Sequence, residues 1–204
     1  MPKFSDISEN LRNKRLFIFD FDETVVNLNL KWHELKKNLS ALVKERFNIE
    51  MIFTPILEKL EELKSKISRD EFIPILNSLI QGEIHALKEY STIQPVGFTL
   101  LKEIYKNYVE NSKENCHIAL LSNNYTETIT LGAKQYGFDS YISYYVGRDM
   151  VKKIKPDVEG LKKIHENFSN IQKSEIIYFG DSAKYDKMVA ESYGIDFYLI
   201  KHPE

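Results

Sequence analysis

Asp20 and Asp22 stand two residues apart, immediately after the apolar run Leu16-Phe17-Ile18-Phe19. If that run is a buried strand, both carboxylates emerge at its carboxyl end, where open α/β sheets bind their ligands. The spacing brings the two acids toward one point once the chain leaves the strand. Such a pair divides labour: one acid attacks and the other handles a proton. Acidic residues also end strands for no other reason than to begin a loop, so the pair gains meaning only from the rest of the chain.

Two later apolar runs also lead into polar groups with a plausible task. The run His117-Ile118-Ala119-Leu120-Leu121 passes into Ser122-Asn123-Asn124. These residues offer a hydroxyl, an amide and loop N–H groups near a helix start, a set suited to phosphate oxygens. The run Ile176-Ile177-Tyr178-Phe179 passes into Gly180-Asp181-Ser182-Ala183-Lys184-Tyr185-Asp186, with two more carboxylates, and Lys155-Pro156-Asp157 lies between the two groups. Asp20, Asp22, Asp181 and Asp186 around one site repel one another strongly unless a metal lies among them. Oxygen-rich surroundings without clustered histidine or cysteine favour Mg2+.

The elements that must position these residues follow from hydrophobic patterning. Leu16 to Phe19, His117 to Leu121, Ile176 to Phe179 and Phe197 to Ile200 are apolar at consecutive positions, as in strands covered on both faces. Tyr141 to Val146 is a weaker fifth candidate. Phe98, Leu101, Tyr105 and Tyr108 recur at helical spacing, Leu161 and Ile164 share a face after Pro156, and Met188, Val189 and Ala190 follow the third strand. Strands alternating with helices predict an α/β fold with an open, doubly wound parallel sheet. Residues 27–92 break the rhythm. Leu35, Leu39, Leu42, Val43 and Phe47 form one stripe, Ile56, Leu60, Leu63 and Ile67 a second, and Phe72, Leu76, Leu79, Ile80 and Leu87 a third. They predict an inserted helical domain over 27–92, interrupting a core made of residues 1–26 and 93–204. Pro74 either lies near the start of the third helix or kinks it, and Tyr90 to Gly97 reads as the return hinge.

Composition removes several alternatives. With 28 Lys and Arg against 30 Asp and Glu, the net charge of -2 provides no broad positive field for nucleic acid. Charges such as Glu58, Lys59, Glu61, Glu62 and Lys64 interleave as on a solvated helix face. The single cysteine, Cys116, excludes an internal disulfide and reads as a buried inert thiol. No apolar leader opens the sequence and no run is long enough to span a membrane, so a cytoplasmic protein without membrane or nucleic-acid partners is expected.

The motifs DFDET, LLSNN, KPD and GDSAKYD, in that order from Asp20 to Asp186, resemble the signature of the haloacid dehalogenase superfamily of phosphohydrolases. The resemblance spans Leu16 to about Ile200 and implies a Rossmann-like core, Mg2+ and a small phosphorylated metabolite as substrate. It implies that Asp20 is the nucleophile and Asp22 the general acid and base. Thr24 matches the residue supporting the motif loop near the phosphate. Ser122 and Lys155, with Asn123 beside them, match the phosphate-binding positions. Asp181, Asp20 and the main-chain carbonyl of Asp22 match the metal ligands, and Asp186 matches a second motif acid that binds metal directly or through water.

The insertion has the position of the family's first cap type, which by analogy closes over the site, as in phosphoglycolate phosphatases, phosphoserine phosphatases and β-phosphoglucomutase. Trp32 and His33 lie near its start; core packing for Trp32 and a surface place for His33 are the expected readings. Arg148 reads as a rim or surface residue and His117 as structural. A phosphatase is the leading function, with a phosphomutase of the same fold or a non-catalytic phosphate-binding scaffold as alternatives. A dehalogenase is disfavoured, because Asp22 and the metal acids would have no use there. The motifs leave substrate and oligomeric state open.

Overall fold

A strand buried on both faces needs apolar side chains at every position, and Leu16–Phe19 meets that requirement: all four residues are buried. The computed structural model describes residues 9–110 and 115–202; residues 1–8, where the sequence was read for an apolar leader, lie outside them. In chain order the elements are β1 (Leu16–Phe19), β2 (Val26–Asn27), α1 (Trp32–Phe47), α2 (Ile56–Lys64), α3 (Arg69–Glu89), β3 (Thr92–Ile93), α4 (Pro95–Ile104), β4 (His117–Leu121), α5 (Thr126–Gln135), β5 (Tyr144–Val146), α6 (Glu159–Asn167), β6 (Ile176–Gly180), α7 (Met188–Tyr193) and β7 (Asp196–Leu199). They divide between two compact units, residues 1–27 with 92–204, and Leu28–Ser91.

The first unit is an α/β core around a five-stranded sheet of order β5-β4-β1-β6-β7. All four strand pairings are parallel, with Leu16 opposite both His117 and Ile176. Leu16 and Ile18 face a cluster that includes Leu121, Leu161, Ile164, Tyr178 and Val189. Phe17 and Phe19 point to the other face, where Phe19 stacks on Phe179 at 4.5 Å and Phe17 meets Tyr108 at 5.3 Å. Each such side chain, fully buried, contributes about 1.5–3 kcal/mol. No helix among the described residues is long and apolar enough to cross a membrane.

The second unit is helical. Leu35, Leu39 and Val43 of α1 are buried, as are Phe72, Ile75, Leu79, Ile84 and Leu87 of α3. Gly82 admits the Leu35 side chain, whose Cδ1 would lie 2.7 Å from an added Cβ. Ser68 caps α3 reciprocally with Glu71, and the helix runs through Pro74 without interruption. The interleaved charges of α2 are solvated as expected: Lys59 and Lys66 both bond Glu62 at 2.6 Å and hold its carboxyl down to about 2.

Several local expectations need correction. The Tyr141 to Val146 strand is only Tyr144–Val146, because Asp139–Tyr141 forms a turn of 3-10 helix. The return expected at Tyr90 to Gly97 does hold the boundary between the units, at Ser91 and Thr92, but it also contains β3, which pairs antiparallel with β2, and Pro95 then opens α4. Pro156, which the sequence suits to a helix's first turn, instead stands ahead of α6, whose first residue is Glu159. The face of α4 turned to the core is Val96, Gly97, Leu100, Leu101 and Ile104, with the aromatic residues flanking it. Trp32 is 40% exposed and packs no core, since it is the first residue of α1 and lies outside the buried stripe.

Gly97 is where α4 meets the loop after β1: an added Cβ would lie 1.9 Å from the Thr24 carbonyl oxygen. Backbone cannot yield as a side chain does, so Gly97→Ala should destabilise the core by about 1–3 kcal/mol. Urea denaturation checks this; an unchanged midpoint would mean that the loop relaxes at no cost.

Candidate active site

The loop following β1 is a tight turn built on one carbonyl. Phe21 O accepts the N–H groups of Val25 at 2.9 Å and Val26 at 3.0 Å, while Glu23 takes the left-handed conformation at φ 63. Asp20 is still in the ladder, its N–H donating to Phe179 O at 2.9 Å. Asp20 is therefore buried at the carboxyl edge beside β6, and Asp22 is half-buried on the turn, bridged to Val26. The Thr24 hydroxyl donates to Asp181 Oδ1 at 3.0 Å, with Asp20 Oδ2 at 3.5 Å. Thr24 thus ties the first acidic motif to the last.

Lys155 lies at the centre of this edge and is 5% exposed. Its ammonium donates to Asp20 Oδ1 at 2.7 Å, Asp186 Oδ1 at 2.6 Å and Tyr178 OH at 3.0 Å. The Tyr178 hydroxyl in turn donates to Asp186 Oδ1 at 2.8 Å, and Asp186 Oδ2 accepts the Ser182 N–H at 3.1 Å. Gly180 makes room: an added Cβ would sit 2.5 Å from the Asp186 carboxyl. Burial opposes charge on Lys155, but Asp20 and Asp186 outweigh it and hold the ammonium above its ordinary range. Burial, then the Asp186 charge, pushes Asp20 well above the usual carboxylate range against the pull of Lys155. Asp181 is raised as well, chiefly by burial, although Thr24 counteracts it.

The residues after β4 take a more local part. Ser122 is buried, and its hydroxyl donates to Asn124 Oδ1 at 2.9 Å and accepts the Asn124 N–H at 3.2 Å. Asn123, expected at the phosphate, spends its side-chain amide on Lys155: Oδ1 accepts the Lys155 N–H at 3.0 Å and Nδ2 donates to the Lys155 carbonyl at 3.3 Å. Arg148 straps the same loop, with Nε on Asn123 O at 2.7 Å and its N–H on Asn124 O at 2.8 Å. His117 is structural, its ring 4.5 Å from Phe168.

Asp20, Asp181 and Asp186 each offer a carboxylate oxygen within 4.8 Å of the others. Such oxygen-only donors, two of them raised by burial first and by neighbouring carboxylates after it, fit a hard divalent cation. The Asp22 carboxylate is not part of that group. Tyr178 was not anticipated, and neither were the Asn124 bond to Ser122 and the room that Gly180 leaves for Asp186. Tyr178 had a signal: a phenol within a run buried on both faces needs a polar partner.

Residues 17–200 match the family model of the haloacid dehalogenase-like hydrolases. The chain belongs to that family. Haloacid dehalogenase-like proteins also share its fold. A predicted phosphoglycolate phosphatase from Haemophilus somnus aligns at TM-score 0.64 and 17% identity, covering 94% of this chain and 87% of that one. A candidate β-phosphoglucomutase from Thermotoga maritima aligns at 0.60 and 17%, covering 93% and 87%. The magnesium-bound candidate hydrolase YfnB from Bacillus subtilis aligns at 0.59 and 14%, covering 92% and 88%. The chain matches no curated protein at a significant level.

Thr24 is fully buried, and its bond to Asp181 joins the two acidic motifs through a hydroxyl that a near-isosteric change removes. Thr24→Val should therefore cost about 1–3 kcal/mol in denaturation, as expected for a charged acceptor losing its donor. A variant as stable as the parent would show that the bond contributes nothing.

Proposed function

We propose that this haloacid dehalogenase-like protein is a magnesium-dependent phosphatase that hydrolyses a small-molecule phosphate monoester through an aspartyl-phosphate on Asp20. The observation that carries this reading is the pairing of Asp20 with Lys155 at 2.7 Å, beside Asp181 and two residues before Asp22. The phosphatase and phosphomutase names among the structural neighbours support the choice of phosphoryl chemistry over dehalogenation.

In the first half-reaction a carboxylate oxygen of Asp20 forms a bond to phosphorus as the bond to the leaving oxygen breaks. Asp22, as the acid, protonates that oxygen, and the alcohol departs. In the second half-reaction Asp22, now a carboxylate, takes a proton from water. The water oxygen bonds to phosphorus, the Asp20–phosphorus bond breaks, and inorganic phosphate leaves with Asp20 regenerated. Lys155 holds Asp20 in place and offsets negative charge where an anionic nucleophile meets an anionic ester. Ser122 and the main-chain N–H groups after β4 are suited to the phosphate oxygens. When bound by Asp20, Asp181 and the main-chain carbonyl of Asp22, Mg2+ supplies charge neutralisation of the phosphoryl group. Asp186, whose oxygens already accept from Lys155, Tyr178 and Ser182, would join those ligands directly or through water. The helical unit Leu28–Ser91 interrupts the chain where the family carries its cap, and substrate choice is assigned to it.

Purified protein should hydrolyse para-nitrophenyl phosphate with magnesium, lose activity in EDTA, and lose at least about 1,000-fold as Asp20→Asn. Turnover surviving in Asp20→Asn would sink the nucleophile assignment; a requirement for a sugar bisphosphate activator would mark a phosphomutase. Binding is read separately. Magnesium should raise the melting temperature, by about 2.7 kcal/mol of stabilisation at 100 times Kd. Asp181→Asn should remove most of that shift, and a wild-type protein indifferent to magnesium would overturn the metal assignment.

A further inference from the structure

Lys155 is held at both ends. It has no regular element of its own: the residues before α6 form turns, and the peptide bond that follows it is cis. A lysine stem has four rotatable carbons, so an ammonium on a loop loses substantial freedom when fixed at one point. Beyond the two carboxylates, a side chain after β4 and another from within β6 add to that fixation. After β4, the Asn123 amide pairs with the Lys155 main chain through an accepted N–H at 3.0 Å and a donated one at 3.3 Å. This two-point contact reproduces a rung of β-ladder, setting the direction in which the Lys155 side chain leaves the backbone. From within β6, the buried phenol of Tyr178 takes the ammonium at 3.0 Å.

The count of protons makes the second contact informative. An ammonium has three N–H bonds, and Lys155 directs them to Asp20, Asp186 and Tyr178. The phenol accepts from Lys155 and gives its own proton to Asp186, so the three groups share one consistent donor order. Asp20 and Asp186 take two of the three N–H bonds, and the phenol takes the last, so every donor of the ammonium has a fixed acceptor.

We propose that Asn123 and Tyr178 are positioning residues that act through Lys155, Asn123 on its main chain and Tyr178 on its ammonium. The inference rests on the phosphatase reading for its kinetic consequence but not for the contact itself. It also separates Asn123 from direct phosphate binding, the role its place beside Ser122 suggests.

The test is a pair of double-mutant cycles read on para-nitrophenyl phosphate, with a structural readout beside them. Asn123→Ala and Tyr178→Phe should each lower kcat roughly tenfold or more, since small misplacements at a reacting centre are costly, while leaving KM within about twofold. In a Lys155→Met background each should add less than twofold, because the group they aim is gone. Losses that multiply in that background would overturn the proposal and mark direct substrate contact or a general structural role. Exchange of the Lys155 backbone amide, followed by NMR in Asn123→Ala, needs neither turnover nor a folded Lys155→Met variant. It should accelerate at least tenfold over the wild type, and unchanged exchange would refute the clamp. A wild type that turns over no substrate would refute the phosphatase reading and leave the amide measurement to decide the contact.

Discussion

Burying an ammonium commits everything around it. Lys155 is shielded from water, and an isolated buried cation would lose its proton or unfold the region. Its charge persists because Asp20 and Asp186 stand within 2.7 Å of it. Two carboxylates so close to one cation leave net negative charge, and Asp181 adds to it from the edge of the group. The remaining architecture answers that imbalance. Thr24 donates to Asp181, the Ser182 N–H and Tyr178 donate to Asp186, and the three carboxylates together make a donor set that suits a divalent cation. Stability and chemistry share one requirement here: the negative charge must be met by something positive.

The sheet makes this concentration of charge feasible. Three of the contributing segments, after β1, β4 and β6, leave adjacent parallel strands at the same edge, with Asp20 bonded to Phe179 and Ser122 bonded to Val146 as the ladders end. Lys155 arrives separately, from a loop braced by Glu159, whose carboxylate accepts the Lys152 and Lys153 N–H groups at 2.9 and 3.0 Å. The segments that follow rigid strands carry the acids, and side-chain contacts fix the Lys155 ammonium among them.

Much of this was legible in sequence because it depends on consecutive positions. Leu16 to Phe19 and His117 to Leu121 are strands over the same residues that the apolar runs marked, since burial on both faces writes itself into every residue. The motif acids were visible because a strand end fixes where the next residue goes. What escaped depends on partners distant in the chain. Nothing near Asn123 shows that its amide would meet Lys155, and nothing near Tyr178 names Lys155 or Asp186 as its partners. The pairing of β2 with β3 was missed for the same reason: two residues of strand are too few to make a pattern, and their partners lie across the whole helical segment. Trp32 failed differently, because size and aromaticity suggest burial while its place at the first position of α1 decides exposure.

That small ribbon has a consequence for how the chain is assembled. Val26 pairs with Ile93 and Asn27 with Thr92, so the residues on either side of Leu28–Ser91 lie about 5 Å apart. Seen from the α/β core, the whole helical segment is a long hairpin loop with its neck already tied. Because the entropy of closing a loop grows only with the logarithm of its length, the core is nearly indifferent to how much chain hangs from that neck. The two-residue strands therefore act as a graft junction: the segment beyond them can lengthen, shrink or be exchanged while the charge balance around Lys155 is left as it stands.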